Sequence, residues 1–215
     1  MVRATLNTEV RFKGSAEPFF HKEIFMTPEE LLEILHRANQ LKIQTRHNWT
    51  VENRKESVAD HSWRIALMAM LLSNEDEFQS LDMNKVIRMC LIHDLGEAFT
   101  GDIPTFEKSG SDEKKEDALF YEWVNSFPEE VRKEWISLLD EMGSLETKEA
   151  KTYKALDKLE AVIAHDEADI CTWLPLEYDL QRTYGRENVT FSPYLSELKQ
   201  AIDTMTEEKI AEEKK

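Results

Sequence analysis

The sequence predicts an all-α fold in a single domain. Apolar residues recur at helical spacing in several stretches, and none of the 215 residues lies in a sustained two-residue alternation of the kind that builds a sheet. No internal repeat and no Pro/Gly-rich linker divides the chain, whose length suits one substantial core. We therefore expect a helical bundle over residues 27–205, with an N-terminal arm at 1–26 and a charged C-terminal tail at 206–215.

Local signals place the elements in order. Residues 1–26 lack helical periodicity, and the short alternation at 9–12 fits either a strand fragment or a packed arm. Thr27, Pro28 and Glu30 then supply an N-cap, a proline at the first helical position and a glutamate at the third, which predicts a helix to about Lys42. Apolar spacing and caps predict further helices at 57–78, 82–99, 112–127, 128–142 (stopped by Gly143), 147–173 and from 192 onward. Two polar loops, 44–56 and 100–111, join the helices, and loops so placed commonly line sites.

The charge of the chain excludes some partners. Asp and Glu total 43 against 27 Lys and Arg, for a formal net charge of -16. This charge would repel a nucleic-acid backbone or an anionic membrane surface, so polymeric nucleic acid and membranes are not expected partners. An anionic small molecule stays compatible, because a bound cation and one or two arginines reverse the field locally. No apolar run approaches the roughly 20 residues that span a bilayer, and we expect a soluble, cytoplasmic protein.

The two cysteines carry no site of their own. Cys90 and Cys171 lie in apolar runs and form no metal or redox spacing. We expect buried free thiols in a reducing cytosol, with a disulfide as the lesser alternative.

Two histidines and two aspartates are the candidate metal ligands. His61 lies on the apolar face of its predicted helix, which points the imidazole inward. His93 and Asp94 are followed by Glu97 one turn later, so all three side chains can reach one cavity. Asp157 lies in a third helical stretch, followed by small residues that allow close approach of neighbouring helices. The alternative is that these are ordinary polar residues satisfied within a helical core.

This ligand set suits one divalent metal ion. Imidazole nitrogen and carboxylate oxygen together fit Co, Mn, Ni, Fe, Zn or Mg, and the lack of cysteine argues against a structural zinc site. A second His-Asp pair, His165-Asp166, lies about 12 Å beyond Asp157 along the helix. That is too far to share the metal, so we interpret the pair as structural or as lining a dimer surface. His21, His36 and His47 are interpreted as surface or cap residues, with His47 the candidate exception because of its loop.

Longer motifs around these residues resemble a known family. The segments ESVADH at 56–61 and HDLGEAFTGDIP at 93–104, together with Arg46 and Trp49, resemble the 5'-deoxynucleotidase branch of the HD-domain metal phosphohydrolases. The resemblance runs from about residue 31 to 169. It implies an HD-type helical fold, usually a homodimer, with one divalent metal held by two His and two Asp, here His61, His93, Asp94 and Asp157.

The resemblance also implies roles for other residues. The catalytic candidates are Glu97 and Asp102, and the substrate-binding candidates are Arg46, Trp49, Thr105 and Lys108. Arg46 offers a planar fork of donors that matches phosphate oxygens, whereas Trp49 fits either a wall against the sugar or an anchor in the core. His47 and Asn48 between them, and Phe106-Glu107 downstream, depart from the pattern of the branch and alter the substrate wall.

The sequence thus predicts a metal-dependent phosphomonoesterase. It would hydrolyse (deoxy)nucleoside 5'-monophosphates to nucleoside and phosphate through a metal-activated water. One alternative is an HD hydrolase for another phosphate ester or anhydride, such as a nucleoside triphosphate or a cyclic diester. The other is a non-catalytic, metal-stabilised binding protein, against which the presence of Glu97 and Asp102 weighs.

Overall fold

A computed structural model describes residues 26–50 and 54–213 of the chain. All of the predicted N-terminal arm except Met26 lies outside the described residues, as do the last two residues of the predicted tail. Within the described part, the chain folds into helices with one small hairpin, and the prediction of an all-α fold is confirmed.

The described residues form nine α-helices, a two-stranded antiparallel hairpin and three short 3-10 turns. In chain order the helices and strands are α1 (Pro28–Ala38), β1 (Thr45–Trp49), β2 (Lys55–Ser57), α2 (Val58–Leu72), α3 (Met83–Ile92), α4 (Glu97–Thr100), α5 (Gly110–Asn125), α6 (Glu129–Ser144), α7 (Lys148–Glu167), α8 (Glu177–Thr183) and α9 (Pro193–Glu213). The 3-10 turns are Asn39–Lys42, Ile170–Thr172 and Glu187–Val189. No helix in these described ranges is long and apolar enough to cross a membrane.

Capping side chains fix where key helices begin. The predicted capping box at Thr27 is present, with the Glu30 amide donating to the Thr27 hydroxyl and the Glu30 carboxylate accepting from the Thr27 amide. Ser57 and Asp60 form the same reciprocal pair at the start of α2. These bonds satisfy amides that the first helical turn leaves unpaired, and they fix the turn from which His61 projects.

The predicted loop over 44–56 contains a hairpin instead. Strands β1 and β2 pair antiparallel, with Thr45 opposite Ser57 and Trp49 opposite Lys55, and the register shifts between these pairs. Such a short, irregular and largely polar ladder gives no sustained alternation in the sequence, so it escaped prediction. The predicted loop after α4 is confirmed over 101–109, although α5 already starts at Gly110.

Several predicted helix ends also differ. The stretch 82–99 breaks after Ile92, where the backbone tightens into three-residue turns before α4. Gly143 lies inside α6, which ends at Ser144, and Leu145 takes the left-handed conformation (φ 51°) that stops it. The stretch 147–173 ends as a helix at Glu167, and α8, which sequence patterning missed, follows. Cys171 is consequently exposed in the turn after α7 and not buried as predicted, whereas Cys90 is buried in the core.

Helix α7 is the centre of the bundle. It packs against α2, α3, α6 and α9, and it buries Leu156, Leu159 and Val162 completely. The same helix also buries Asp157 and Glu160, although isolated charges are costly away from water. The core is therefore built around polar groups that must find partners inside it.

Candidate metal centre and active site

The side chains of the four predicted metal ligands lie close together. His61 comes from the first turn of α2, His93 and Asp94 from the turn after α3, and Asp157 from α7. The His93 Nε2 lies 3.0 Å and the His61 Nε2 3.8 Å from Asp94 Oδ2. The same two nitrogens lie 3.9 Å and 3.4 Å from Asp157 Oδ1. Ligand atoms of His61, His93 and Asp94 lie within 4.8 Å of one another.

The imidazoles are oriented as metal ligands would be. The Nδ1 of His93 lies 2.9 Å from the Cys90 carbonyl oxygen, and the Nδ1 of His61 contacts the Glu160 carboxylate. A proton on each Nδ1 leaves the Nε2 lone pair free, which is how a second contact sets the tautomer of a ligating histidine. Both Nε2 atoms are buried and have no hydrogen-bond partner among the described residues. Two lone pairs facing two carboxylates fit a divalent cation between them.

The charges around the cluster favour a bound cation. Burial and Arg46 would lower the pKa of His61, but Asp157 and Glu160 outweigh them and raise it to about 9, so these carboxylates favour positive charge at Nε2, where a bound cation would displace the proton. Burial would raise the pKa of Asp157, yet Lys154 and Lys158 hold it well below its ordinary value. Asp157 is therefore ionised at neutral pH, and the cluster as a whole attracts positive charge.

Glu160 is a functional candidate that sequence analysis missed. Its side chain is fully buried, and its Oε2 contacts His61 Nδ1 and lies 3.4 Å from Arg46 Nη1. Arg46 is held in turn by Glu56, 3.1 Å away. Glu160 thus connects the metal cluster to Arg46. Its position three residues after Asp157, on the same face of α7, was the available signal.

A cavity lies beside Arg46, which Glu160 connects to the cluster. It lies between the hairpin, the 102–106 segment, α7 and α8, and we call it the hairpin cavity. Its lining includes Arg46, His47, Asn48, Asp102, Thr105, Phe106, Ala161, His165, Glu177, Gln181 and Tyr184. The predicted residues Arg46, Asp102 and Thr105 are therefore brought together. Thr105 Oγ1 lies 3.2 Å from the Tyr184 hydroxyl oxygen.

A second cavity lies on the other side of the cluster. It is lined by His93 and Asp94, by acidic residues of α5 and by Lys108, and we call it the acidic cavity. The Lys108 ammonium donates to Glu116 at 2.7 Å. Lys108 is thus placed near two predicted metal ligands but not beside Arg46.

Trp49, the candidate for a sugar wall or a core anchor, lines neither of these two cavities. It borders a separate groove with Trp63 and Arg64, since three residues of extended strand carry the chain about 10 Å beyond Arg46. The Lys55 ammonium lies 4.4 Å from the centre of the Trp49 ring and donates to the His47 carbonyl at 2.5 Å. Trp49 therefore contacts the side chain that holds the His47 backbone.

The two catalytic candidates lie near Arg46 and Asp94. Glu97 is buried on α4, and its Oε2 has no hydrogen-bond partner in the described ranges. Burial, and then the charges of Asp94, Asp102 and Glu116, raise its pKa to about 10. Burial also raises the pKa of Asp102, although Arg46 opposes the shift.

Gly101 sets the turn between the two catalytic candidates. Its φ of 76° lies in the left-handed region, and a Cβ there would lie 3.2 Å from the Gln44 side-chain oxygen. The chain can therefore leave α4 and direct Asp102 toward the hairpin cavity without a clash at this position.

His165, interpreted from the sequence as structural or as lining a dimer surface, lines the hairpin cavity. It is eight residues after Asp157, with Ala161 between them, so the three share one face of α7. It does not join the metal cluster, as predicted, and its neighbour Asp166 accepts a hydrogen bond from Thr206 at 2.8 Å.

The family model of the HD domain matches residues 38–199. The chain belongs to the HD-domain family. The human protein named 5'-deoxynucleotidase HDDC2 is 33% identical to this HD-domain chain over 141 residues, 64% of this chain and 67% of that protein. A Dictyostelium discoideum protein of the same name is 34% identical over 140 residues, 61% of this chain and 74% of that protein. A solved structure titled predicted metal-dependent phosphohydrolase, from Magnetospirillum magnetotacticum, is 25% identical, with a TM-score of 0.70 over 84% of this chain and 93% of that one.

Replacement of a ligand should remove the metal. We expect the purified protein to hold about one divalent ion per chain, and His61→Ala or Asp94→Ala to lose it while circular dichroism keeps its helical signal. Elemental analysis measures the ion. His36→Ala, at an exposed histidine of α1, is the matched control. Equal metal content in wild type and Asp94→Ala would refute the assignment.

The contact between Glu160 and His61 should set metal affinity. Glu160→Gln keeps the size of the side chain but weakens the acceptor that orients His61. Such a change typically costs 10- to 100-fold in affinity, and we expect that loss in a Mn²⁺ titration. An unchanged Kd would show that Glu160 serves only to hold Arg46.

Proposed function

We propose that this HD-domain protein is a metal-dependent phosphomonoesterase that hydrolyses deoxynucleoside 5'-monophosphates to nucleoside and phosphate. The observation that carries the proposal is the junction between the His-Asp cluster and Arg46, since Glu160 touches both His61 and Arg46. Arg46 lines the hairpin cavity, and Glu160 links it to the candidate cation site; a guanidinium and a cation so linked suit a phosphate monoester. The curated relatives named 5'-deoxynucleotidase support the nucleotide as substrate.

Arg46 makes the hairpin cavity the better place for the substrate. In the acidic cavity, Lys108 is already paired with Glu116, and Glu113 and Asp117 add negative charge that would repel a phosphate. In the hairpin cavity, Arg46 is oriented by two carboxylates, and its guanidinium can bind phosphate oxygens in a fixed geometry.

The chemistry needs a nucleophile and a proton for the leaving group. His61, His93, Asp94 and Asp157 would hold a divalent cation, which would supply a water of lowered pKa and polarise the phosphoryl oxygens. As the water oxygen bonds to phosphorus, the bond from phosphorus to the 5'-oxygen breaks. The raised pKa of Glu97 suits it to hold the proton that this oxygen takes up. Asp102, beside Arg46 in the cavity, would orient the reacting groups.

The proposal extends to the setting of the enzyme. We infer that it works in the cytoplasm, away from membranes and polymeric nucleic acid, because its charge of -16 disfavours both surfaces. The resemblance to the 5'-deoxynucleotidase branch supports a homodimer.

Removal of Glu97 should impair turnover and leave the metal in place. Glu97→Ala should lower kcat by about 100-fold, the usual scale for a positioned acid or base, with the metal content of wild type. Steady-state rates with dAMP and elemental analysis check both parts. Glu107→Ala, an exposed glutamate ten residues downstream, is the control. Wild-type turnover by Glu97→Ala would exclude its role in proton transfer.

Removal of Arg46 should weaken every nucleotide substrate alike. Arg46→Ala should lower kcat/KM for all deoxynucleoside monophosphates by about 10- to 100-fold, as expected for lost hydrogen bonds to a charged group. Arg64→Ala is the matched control. Arg64 also approaches Glu160, at 3.7 Å, but it borders the separate groove beside Trp49 and not the hairpin cavity. A wild-type enzyme that prefers triphosphates would contradict the proposed function.

A further inference from the structure

A buried carboxylate lies between two imidazoles at the α8 side of the hairpin cavity. The Oε1 of Glu177 is 3.2 Å from His47 Nε2, and its Oε2 is 3.2 Å from His165 Nε2. The Leu174 amide donates to the same Oε2 at 2.6 Å. The two imidazole rings are nearly parallel, with an interplanar angle of 23° and centroids 6.4 Å apart. The proposed catalytic steps use none of these groups.

Glu177, His47 and His165 offer polar atoms to which a ligand could form hydrogen bonds. Burial would raise the pKa of Glu177, but the nearby His165 imidazole and the Leu174 amide outweigh it and hold the pKa below its ordinary value. The carboxylate is therefore ionised at neutral pH and only accepts hydrogen bonds. The side chain of His165 is 9% exposed, and its Nε2, like that of His47, has no aligned hydrogen-bond partner among the described residues. Buried polar groups of this kind normally have partners.

Helix α7 relates this cluster to the metal site. Asp157, Ala161 and His165 occupy successive turns of one face, so His165 lies about 12 Å along the axis from Asp157. That is the scale of a nucleoside monophosphate from its phosphorus to the far edge of its base. Ala161 lines the cavity between the two ends, and its side chain stops at Cβ, which leaves room there for the sugar.

We propose that His47, His165 and Glu177 form the nucleobase-binding end of the hairpin cavity. The phosphate lies at Arg46, the sugar passes Ala161, and Glu177 accepts hydrogen bonds from N–H groups on the edge of the base. His47, with Phe106 packed edge-on at 5.5 Å between ring centroids, provides an aromatic wall. The inference rests on the proposed function. It adds that the enzyme recognises the base of the nucleotide, so a sugar phosphate without a base should be a poorer substrate.

Kinetics with and without a base tests this assignment. The experiment would measure kcat/KM of wild type and of Glu177→Gln on four deoxynucleoside 5'-monophosphates. It would repeat the measurement on 2-deoxyribose 5-phosphate, which lacks a base. The variant should lose at least about tenfold in kcat/KM on the nucleotides, the scale of a hydrogen bond to a charged group, mainly through KM. Its kcat/KM on the sugar phosphate should stay within about twofold of wild type. Equal losses on both substrates, or no loss on either, would overturn the proposal.

A matched control separates base recognition from support of the fold. Asp166→Asn alters a buried carboxylate next to His165 that bonds to Thr206 and does not line the cavity. It should leave both substrate classes unchanged. If Glu177→Gln does not fold, His47→Ala, at the more exposed imidazole, should give the same selective loss. A His47→Ala enzyme with wild-type KM for every nucleotide would also overturn the assignment.

Binding of the product nucleosides gives a readout that does not need turnover. Calorimetry should show that 2'-deoxyadenosine binds wild type at least about tenfold more tightly than Glu177→Gln. Equal binding by the two proteins would refute the base site. Failure of wild type to hydrolyse any nucleotide, with this difference in nucleoside binding intact, would instead refute the proposed function alone.

Discussion

The buried carboxylates of α7 require charged and polar partners from the helices and the strand packed around them. An unpaired ion inside a protein costs several kcal/mol even after relaxation, and α7 buries both Asp157 and Glu160 at the centre of the bundle. Asp157 pairs with Lys154 and Lys158 of α7 itself and faces the imidazole of His61 from α2. Glu160 contacts His61 and Arg46, which come from α2 and β1. A divalent cation would complete this arrangement, because the Nε2 atoms of His61 and His93 have no other hydrogen-bond partner in the described residues.

This constraint also explains how an acidic protein suits an anionic substrate. The net charge of -16 would repel a phosphate at long range. Within the hairpin cavity, Arg46 is held by Glu56 and Glu160, and a cation in the adjoining cluster adds positive charge. The carboxylates that make the interior acidic are thus the same groups that orient Arg46 and would hold the cation.

The candidate metal ligands could be proposed from the sequence because they lie in short, dense motifs on strongly periodic helices. His61 follows a capping box, and His93 and Asp94 end an amphipathic helix, so local pattern alone gave their direction. The positions of Glu177 and Trp49 could not be predicted from local sequence pattern. Glu177 lies on a seven-residue helix without a clear period, and its partners come from β1 and α7. The placement of Trp49 follows from an irregular hairpin whose pairing is set by tertiary contacts, which one-dimensional spacing does not encode.

Anomalous diffraction would show whether His61, His93, Asp94 and Asp157 hold a divalent cation. A crystal grown with Mn²⁺ and measured near the manganese absorption edge gives an anomalous difference map that reports the ion alone. We expect a strong peak between the Nε2 atoms of His61 and His93 and the carboxylates of Asp94 and Asp157, at ligand distances of about 2.0–2.3 Å. A peak elsewhere in the molecule, with this cluster empty, would contradict it.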